Sequence, residues 1–334
     1  MKNLRNTNPY AEVNWSNTPR VTTSTHMHCL NQETLNSFIS QGLELAAISN
    51  YYPSMPYYPL SSMRENTVRV RQPGYVKDGI WHTDVLNYNE AIAPWCSELP
   101  KASRTQLPFR EGKRLFPNVP EGLLEIPNAE HHYFSDASIY LHVTAPGATL
   151  SSSMFDLKKE FALAEHGYDF GVRLPWRESF QKLYDSLLTP DGGGIVIAHP
   201  SWSHHPISYL EMLLDSDPRI LGIEVFNNCS RIDYSDVSED LWDAILSSGR
   251  QCFGFFVVDH PRPNRNWLGR IVLLPEERTA ESCLRAMRRG RFYGAISGNG
   301  LRFEYIHFDG HMLTAACNRP VEFQLISKIG VIND

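Results

Sequence analysis

The sequence predicts an α/β fold built around a largely parallel sheet. From about Val21 onward, short apolar runs alternate with segments whose apolar residues recur at helical spacing. This alternation is typical of βα units, in which a helix crosses between two parallel strands. The chain has 334 residues, of which 42% are hydrophobic, so it is long enough to bury one large core or two modest ones.

The first βα unit begins with a strand predicted over residues 21–28. Leu35 and Phe38 then fall on one face of a helix that Gly42 is expected to end, because glycine readily adopts the left-handed conformation found there. Residues 43–49 are predicted as the next strand. Later units are predicted as the helices 176–187, 209–214, 237–248 and 279–289 and the strands 138–144, 194–198, 220–226 and 253–258.

Two segments break this alternation. Residues 52–122 are rich in Pro, Tyr and Trp and are predicted to be a long insertion after the second strand, which either borders the site or is an ordered surface excursion. Near the C-terminus, alternating strands over residues 301–308 and 312–326 predict a small antiparallel appendage. We therefore expect one domain over residues 1–300 and the appendage over residues 301–334.

Charge and hydropathy exclude several classes of protein. Thirty-one Lys and Arg against 37 Asp and Glu give a net charge of -6, without a basic stripe, so nucleic acid is expected at most as a substrate. The longest apolar runs, such as residues 253–258, reach only strand length, so no membrane span is expected. The polar N-terminus up to Asn17 lacks a signal segment, which predicts a cytoplasmic protein, although a chain trimmed of its signal would look the same.

The cysteine pattern argues against disulfides and against cysteine metal sites. Six cysteines are scattered singly, without a C-x-x-C pair, in a chain large enough to fold without cross-links, so we interpret them as reduced thiols. Any metal chemistry must then come from histidine and carboxylate side chains.

Histidines and carboxylates occur at or just past the ends of predicted strands. His26 and His28 stand two residues apart on one strand, which places both imidazoles on the same face, where they could bind a divalent cation. The other candidates are Glu130, His142, His199, Asp259 and His260. A single histidine in such a position is more often a hydrogen-bonded structural residue than a ligand. Because such residues would rarely fall at the ends of five strands by chance, the pattern favours a shared metal site.

Two pairs of adjacent histidines are interpreted differently. These are His131 with His132 and His204 with His205. Neighbouring residues of a strand point to opposite faces, so at most one member of each pair can face a site. Both pairs are expected to lie behind the ligands or on the surface.

In their order along the chain, these residues resemble the motifs of the PHP (polymerase and histidinol phosphatase) metal-dependent phosphoesterases, over roughly residues 8–300. The matching segments are Thr25-His26-Met27-His28, Ile126-Pro127-Asn128-Ala129-Glu130, Leu141-His142-Val143, and residues 193–200, 223–227 and 254–260. The resemblance implies a distorted (β/α)7 TIM-like barrel. It also implies that the strand ends hold two or three divalent ions, commonly zinc, manganese or iron, that activate water against a phosphate ester.

Carried over position by position, the resemblance implies two sets of metal ligands that share one carboxylate. The first metal would be bound by His26, His28, Glu130 and Asp259. The second metal would be bound by Glu130, His142 and His199, so that Glu130 bridges the two ions.

Three departures from the family pattern fall on ligands of a third metal. Ser49-Asn50-Tyr51 stands where Thr-Asp-His is usual, Glu33 is the nearest candidate after the first motif, and Asp259 and His260 are adjacent rather than one residue apart. The first two sites are therefore expected to be intact, and the third stays open. His260 is expected to be a ligand, a general acid or a substrate contact.

Four further residues are candidate substrate contacts: Asn50, Tyr51, Arg262 and Arg265. Tyr51 can donate a hydrogen bond but is a poor ligand while protonated. The two arginines follow the last acidic motif and suit an anionic group. Trp202 is expected either to pack or to stack on a sugar or base.

The sequence thus predicts a metal-dependent hydrolase, and most simply a phosphoesterase acting on a small-molecule or oligomeric phosphate ester. Two alternatives remain open. The same metals could hydrolyse another ester or an amide, because fold and metal pair do not fix the bond cleaved. The chain could also be a non-catalytic metal- or ligand-binding protein with a degenerate PHP site.

Overall fold

The computed structural model describes residues 8–29, 32–49, 75–77, 80–82, 118–132, 134–138, 140–148, 162–163, 169–170, 175–229, 234–260, 269–296, 300–327 and 330–332. The strands are β1 (Val21–Thr23), β2 (Leu45–Ala46), β3 (Tyr75–Lys77), β4 (Ile80–His82), β5 (Leu124–Glu125), β6 (Glu130–His131), β7 (Val143–Thr144), β8 (Ala162–Leu163), β9 (Asp169–Phe170), β10 (Ile195–Ile197), β11 (Ile220–Cys229), β12 (Tyr234–Val237), β13 (Phe253–Val257), β14 (Gly269–Leu273), β15 (Phe292–Ile296), β16 (Phe303–Phe308), β17 (Leu313–Cys317), β18 (Leu325–Ser327) and β19 (Gly330–Ile332). The helices are α1 (Gln32–Ser40), α2 (Trp176–Asp185), α3 (Ile207–Ser216), α4 (Glu239–Ser247) and α5 (Ala280–Arg288).

The described residues form a mixed α/β structure with several sheets. The largest sheet has the strand order β12-β11-β10-β7-β6, and β13 also pairs with β11. Strands β10, β11 and β13 run parallel, as helices α3 and α4 between them require. No closed barrel is recognised among the strands of the described residues.

Strand β7 runs against its neighbours. It pairs antiparallel with β6, where His131 lies opposite Val143, and antiparallel with β10, where Ile197 lies opposite Val143. The sequence pattern predicts a strand here but not its direction, because an apolar run reads the same either way. The reversal decides which end of β7 faces the ends of the parallel strands.

A second sheet, β1-β14-β15, is antiparallel throughout. Strands β14 and β15 were not among the strands predicted from the sequence. Helix α5 lies between them and is capped by Thr279, whose side chain accepts a hydrogen bond from the backbone N–H of Ser282. The helix is followed by Gly290 with a φ of +69°, the left-handed conformation expected at that position.

The core is divided between the two faces of the central strands. Ile195 and Ile197 of β10 pack into one buried cluster, whereas Val196 packs into the other. Strand β11 divides in the same way, with Ile220 in the first cluster and Leu221 in the second. Successive residues of a strand point to opposite faces, so these strands are covered on both sides.

The two segments that interrupt the predicted alternation are described in part. Within the predicted insertion, β3 and β4 form an antiparallel pair, but most of residues 52–117, and with them the place of the insertion relative to the site, lie outside the described residues. At the C-terminus, β16 pairs antiparallel with β17 and β18 with β19, so the strand predicted over residues 312–326 is two strands. The domain boundary near residue 300 stays a prediction.

The helices are short. Helices α2 and α3, at 10 residues each, are the longest in the described part of the chain, and no helix there is long and apolar enough to cross a membrane.

Candidate metal centre

Four of the predicted ligands come just after the ends of three strands. His26 and His28 come just after β1, His199 after β10 and Asp259 after β13. The backbone N–H of His28 donates to the carbonyl oxygen of Asp259 at 2.8 Å, which joins the end of β13 to the segment after β1. The side chains of these positions therefore meet at one edge of the strands.

His142 reaches the same edge because β7 is reversed. It precedes β7 rather than ending it, and its carbonyl oxygen accepts a 3.0 Å hydrogen bond from the backbone N–H of Ala198. Glu130 opens β6, and its backbone N–H donates to the carbonyl oxygen of Ser49 at 3.0 Å. Because β7 runs antiparallel to β10, the residue before the start of β7 lies at the same edge as the residue after the end of β10.

Four side chains form the first set of donor atoms. The Nε2 atoms of His26 and His28 lie 3.1 and 2.9 Å from Oε2 of Glu130 and 3.3 and 3.4 Å from Oδ1 of Asp259. All four residues are buried, and their donor atoms lie within 4.8 Å of one another. This is the first ligand set that the sequence motifs predict.

The second set shares Glu130 with the first. Its other oxygen, Oε1, lies 2.7 Å from Nδ1 of His142 and 3.5 Å from Nε2 of His199. Each carboxylate oxygen of Glu130 therefore faces a different pair of histidines, as a carboxylate that bridges two cations would.

The donor atoms are better placed to bind divalent cations than to hydrogen-bond with one another. Nε2 of His26 and Oδ1 of Asp259 are buried and find no hydrogen-bond partner among the described residues, although they lie 3.3 Å apart. Leaving such atoms buried and unpaired is costly. Convergent imidazole nitrogens and carboxylate oxygens are ligands that zinc, manganese and iron accept.

The two carboxylates are held in their charged form. Burial raises the pKa of Glu130, but the charge of His26 and hydrogen bonds from His142 and His199 outweigh it and lower that pKa well below its usual value. Burial likewise opposes ionisation of Asp259, yet the neighbouring His26 and His260 lower its pKa to about 2. Both groups are therefore anionic at neutral pH.

Two of the strand ends carry unusual backbone conformations. His199 and Asp259 have φ angles of 28° and 31°, in the left-handed region that residues other than glycine rarely adopt. Such strained residues persist only where their surroundings fix them, and they cluster at functional sites.

Glu224 belongs to the site, although the sequence analysis assigns it no role. This buried residue of β11 accepts a hydrogen bond at Oε1 from Nδ1 of His26, at 2.8 Å. Its Oε2 accepts hydrogen bonds from the backbone N–H of His199 and from Nδ2 of Asn227, both at 2.8 Å. A carboxylate behind a histidine fixes the orientation of the ring and leaves its other nitrogen free for a metal. Its signals in the sequence are a glutamate inside the apolar run of β11 and its place in the matching segment 223–227.

The candidates for a third metal are not part of either donor set. His260 stacks on His28 with ring centroids 3.9 Å apart, and its Nε2 lies 3.5 Å from Oδ1 of Asp259. Burial and the neighbouring His28 lower the pKa of His260 to about 3, so its ring is neutral at pH 7. Glu33 lies exposed in the first turn of α1.

Three of the four histidines in adjacent pairs are buried rather than on the surface. Burial lowers the pKa of His131 and of His132 to about 3, and the His132 ring lies 5.2 Å from that of His142. His205 is buried, whereas His204 is exposed. None of them belongs to a donor set found among the described residues.

Four predicted substrate contacts cannot be compared with the structure. Asn50, Tyr51, Arg262 and Arg265 lie outside the described residues and stay predictions.

Comparison with known proteins adds a distant structural likeness. No protein-family model matches the chain, and no curated protein matches it. Among solved structures, the chain is similar to a two-domain protein from Bacteroides vulgatus described as containing a predicted PHP-like metal-dependent phosphoesterase. The two share 12% sequence identity at a TM-score of 0.45, over 92% of this chain and 77% of that one.

Proposed function

We propose that this protein is a metal-dependent phosphoesterase with two divalent ions, zinc, manganese or iron, at its centre. The two ligand sets are His26, His28, Glu130 and Asp259 for one ion and Glu130, His142 and His199 for the other. The observation that carries the proposal is that each oxygen of Glu130 faces a different pair of histidines.

The side chains around this centre suit hydrolysis of a phosphate ester. When bound, a pair of divalent ions supplies Lewis acidity toward the ester and its attacking water. Glu130 and Asp259 offset the charge of the ions, and Glu224 holds the His26 ring in place. His260, stacked on His28 outside both donor sets, is proposed as the group that contacts the substrate or transfers a proton.

We also propose that seven strands close into a distorted (β/α)7 barrel around this centre. The supporting contacts are backbone pairings, taken in order and with β5 and β6 counted as one strand: β1 region to β2 (Ser49 N–H to Met27 carbonyl), β2 to β5, β6 to β7, β7 to β10, β10 to β11, and β11 to β13. The parallel bridge between Met27 and Asp259 then joins the end of β13 to the segment after β1. The reversed β7 is the distortion.

The proposed substrate is a small-molecule or oligomeric phosphate ester. Asn50, Tyr51, Arg262 and Arg265 are proposed to contact it, since two arginines after the last acidic motif suit an anionic group.

Replacing Glu130 by Gln tests the proposal. A neutral amide cannot offset two dications, so we expect Glu130→Gln to reduce the metal content from about two ions per chain to below one and to lower turnover by at least about 100-fold. The control is Glu178→Gln, on an exposed site of α2, which should change neither. Elemental analysis and a screen of phosphomonoesters and phosphodiesters are the measurements.

The same screen, extended to carboxylic esters and amides, separates the alternatives. Full metal content and full activity in Glu130→Gln would show that the ligand assignment is wrong. Metal binding without turnover of any ester or amide would favour a binding protein. Turnover of carboxylic esters or amides alone would identify a different hydrolase.

A further inference from the structure

Two exposed aromatic side chains border the second donor set. Trp202 is 41% exposed and Tyr140 is 49% exposed, which is unusual for large rings beside a buried polar cluster. The Trp202 ring centroid lies 5.0 Å from that of His199 and 6.3 Å from that of His142. A ligand held at these histidines therefore lies within reach of the Trp202 ring.

The two rings form a corner. Their centroids are 5.9 Å apart and their planes are inclined by 89°. A flat ring that stacks on one of them meets the other edge to face, and aromatic rings favour both arrangements.

The turn that carries Trp202 is held by buried polar groups. The backbone N–H of Trp202 donates to Oδ1 of Asp236 at 2.8 Å, and Asp236 is 1% exposed. The other oxygen of Asp236 accepts from the Ser238 hydroxyl, which lies 2.8 Å from the hydroxyl of Ser201.

The backbone that carries Tyr140 is held within its own turn. The backbone N–H of Tyr140 donates to the hydroxyl of Ser138 at 3.2 Å, and the N–H of Leu141 donates to the carbonyl oxygen of Ser138 at 2.9 Å. Because the backbone beneath each ring is held before a ligand arrives, binding requires little ordering of these two turns.

We propose that Tyr140 and Trp202 form a platform for a planar aromatic ring of the substrate, so that the protein prefers phosphate esters of aryl or nucleoside groups over aliphatic ones. This inference rests on the proposed phosphoesterase function, because the phosphate must be held at the two donor sets. Stacking on an exposed tryptophan removes two apolar faces from water and tolerates any ring with a flat π face.

Binding of two phosphonates that carry the same charged group tests the platform. Phenylphosphonate and methylphosphonate are titrated by calorimetry into the full chain loaded with manganese. We expect phenylphosphonate to bind about tenfold more tightly, or about 1.4 kcal/mol, and Trp202→Ala to remove that preference, whereas Trp202→Phe retains most of it. The matched control is Tyr305→Ala, which removes a 43% exposed ring from β16 and should keep the preference.

A second pair of ligands distinguishes the two sources of the ring. Adenosine 5′-phosphate and ribose 5-phosphate are titrated in the same way, and their affinities are compared. Tighter binding of the nucleotide that depends on Trp202, without tighter binding of phenylphosphonate, supports the platform and identifies the ring as a nucleobase. The base of a nucleotide lies farther from the phosphorus than the ring of phenylphosphonate does.

Two results would overturn the inference in different ways. Equal binding within both pairs, or a preference that survives Trp202→Ala, would remove the platform and leave the phosphoesterase proposal standing. If metal is bound but none of the four ligands binds, the phosphoesterase proposal itself fails, and the platform fails with it.

Discussion

Glu224 connects two histidines that come from distant parts of the chain. One of its oxygens contacts the ring of His26 and the other contacts the backbone of His199. The carboxylate therefore fixes a ring in the first donor set and a backbone turn in the second. Its effect on metal binding should be indirect, through the orientation of ligands that it does not replace.

Glu224→Gln is expected to weaken metal binding about 10- to 100-fold while leaving the ligand set complete. Because the ligands remain, activity should return when the metal concentration is raised, which separates Glu224 from Glu130. Calorimetric titration of the metal into each variant measures its metal affinity. Glu239→Gln, on the exposed first turn of α4, is the control. An unchanged affinity in Glu224→Gln would mean that the carboxylate only packs.

Sequence reasoning found the donor residues because their chemistry is visible one residue at a time. His26 and His28 share a strand face, and histidines after strand ends meet wherever strands run parallel. Glu224 was missed because its importance comes from a partner 198 residues away, and a lone glutamate in a strand carries no sign of that partner.

Gly42 and Gly290 are two glycines that follow helices with the same backbone conformation. Their φ angles are +96° and +69°. They differ in the space around them: a Cβ atom at Gly42 would meet nothing within 4 Å, whereas one at Gly290 would lie 2.3 Å from the Phe253 ring. The pair therefore separates the cost of the conformation from the cost of a contact.

Alanine at these positions is expected to lower the free energy of unfolding by different amounts. Gly42→Ala should cost about 1–2 kcal/mol, because only the left-handed conformation is penalised. Gly290→Ala should cost about 1–3 kcal/mol more, since the new methyl group overlaps the ring of the partly buried Phe253 at the start of β13. Urea unfolding measures both. Equal losses would show that Phe253 moves aside without cost.

The elements that sequence reasoning missed are those whose pairing is not local. Helix α2 could be predicted from its apolar spacing and α5 from the glycine that follows it, because both are properties of the segment itself. The direction of β7 and the antiparallel pairing of β14 with β15 depend on neighbours elsewhere in the chain, which a single segment does not specify.

At the scale of the molecule, the donor atoms link segments that are far apart in the sequence. His26 follows the first strand and Asp259 follows β13, and the two side chains lie 3.3 Å apart. The donor arrangement exists only when these segments are folded together, so binding of the proposed metal would be coupled to folding.

Divalent metal is therefore expected to raise the melting temperature. At a free concentration of 100 times Kd, one bound ion adds about 2.7 kcal/mol, which corresponds to about 4 °C for a domain of about 300 residues. Thermal unfolding of chelator-treated protein with and without added manganese or zinc measures the shift. Glu130→Gln should show little of it. An equal shift in that variant would place the stabilising ion elsewhere.

The contact between the segments that follow β1 and β13 also determines how late in synthesis these strands can meet. The backbone N–H of Val258 donates to the hydroxyl of Ser24, 234 residues earlier. At about 5–20 residues per second, the first strand leaves the ribosome about 10–50 s before its last neighbour is made. During that interval the edge of β1 is unpaired. Because β1 has only three residues, it offers few backbone groups for pairing with a wrong strand. A nascent chain cannot complete the first donor set before Asp259 emerges, so capture of the proposed metal would mark a late stage of folding.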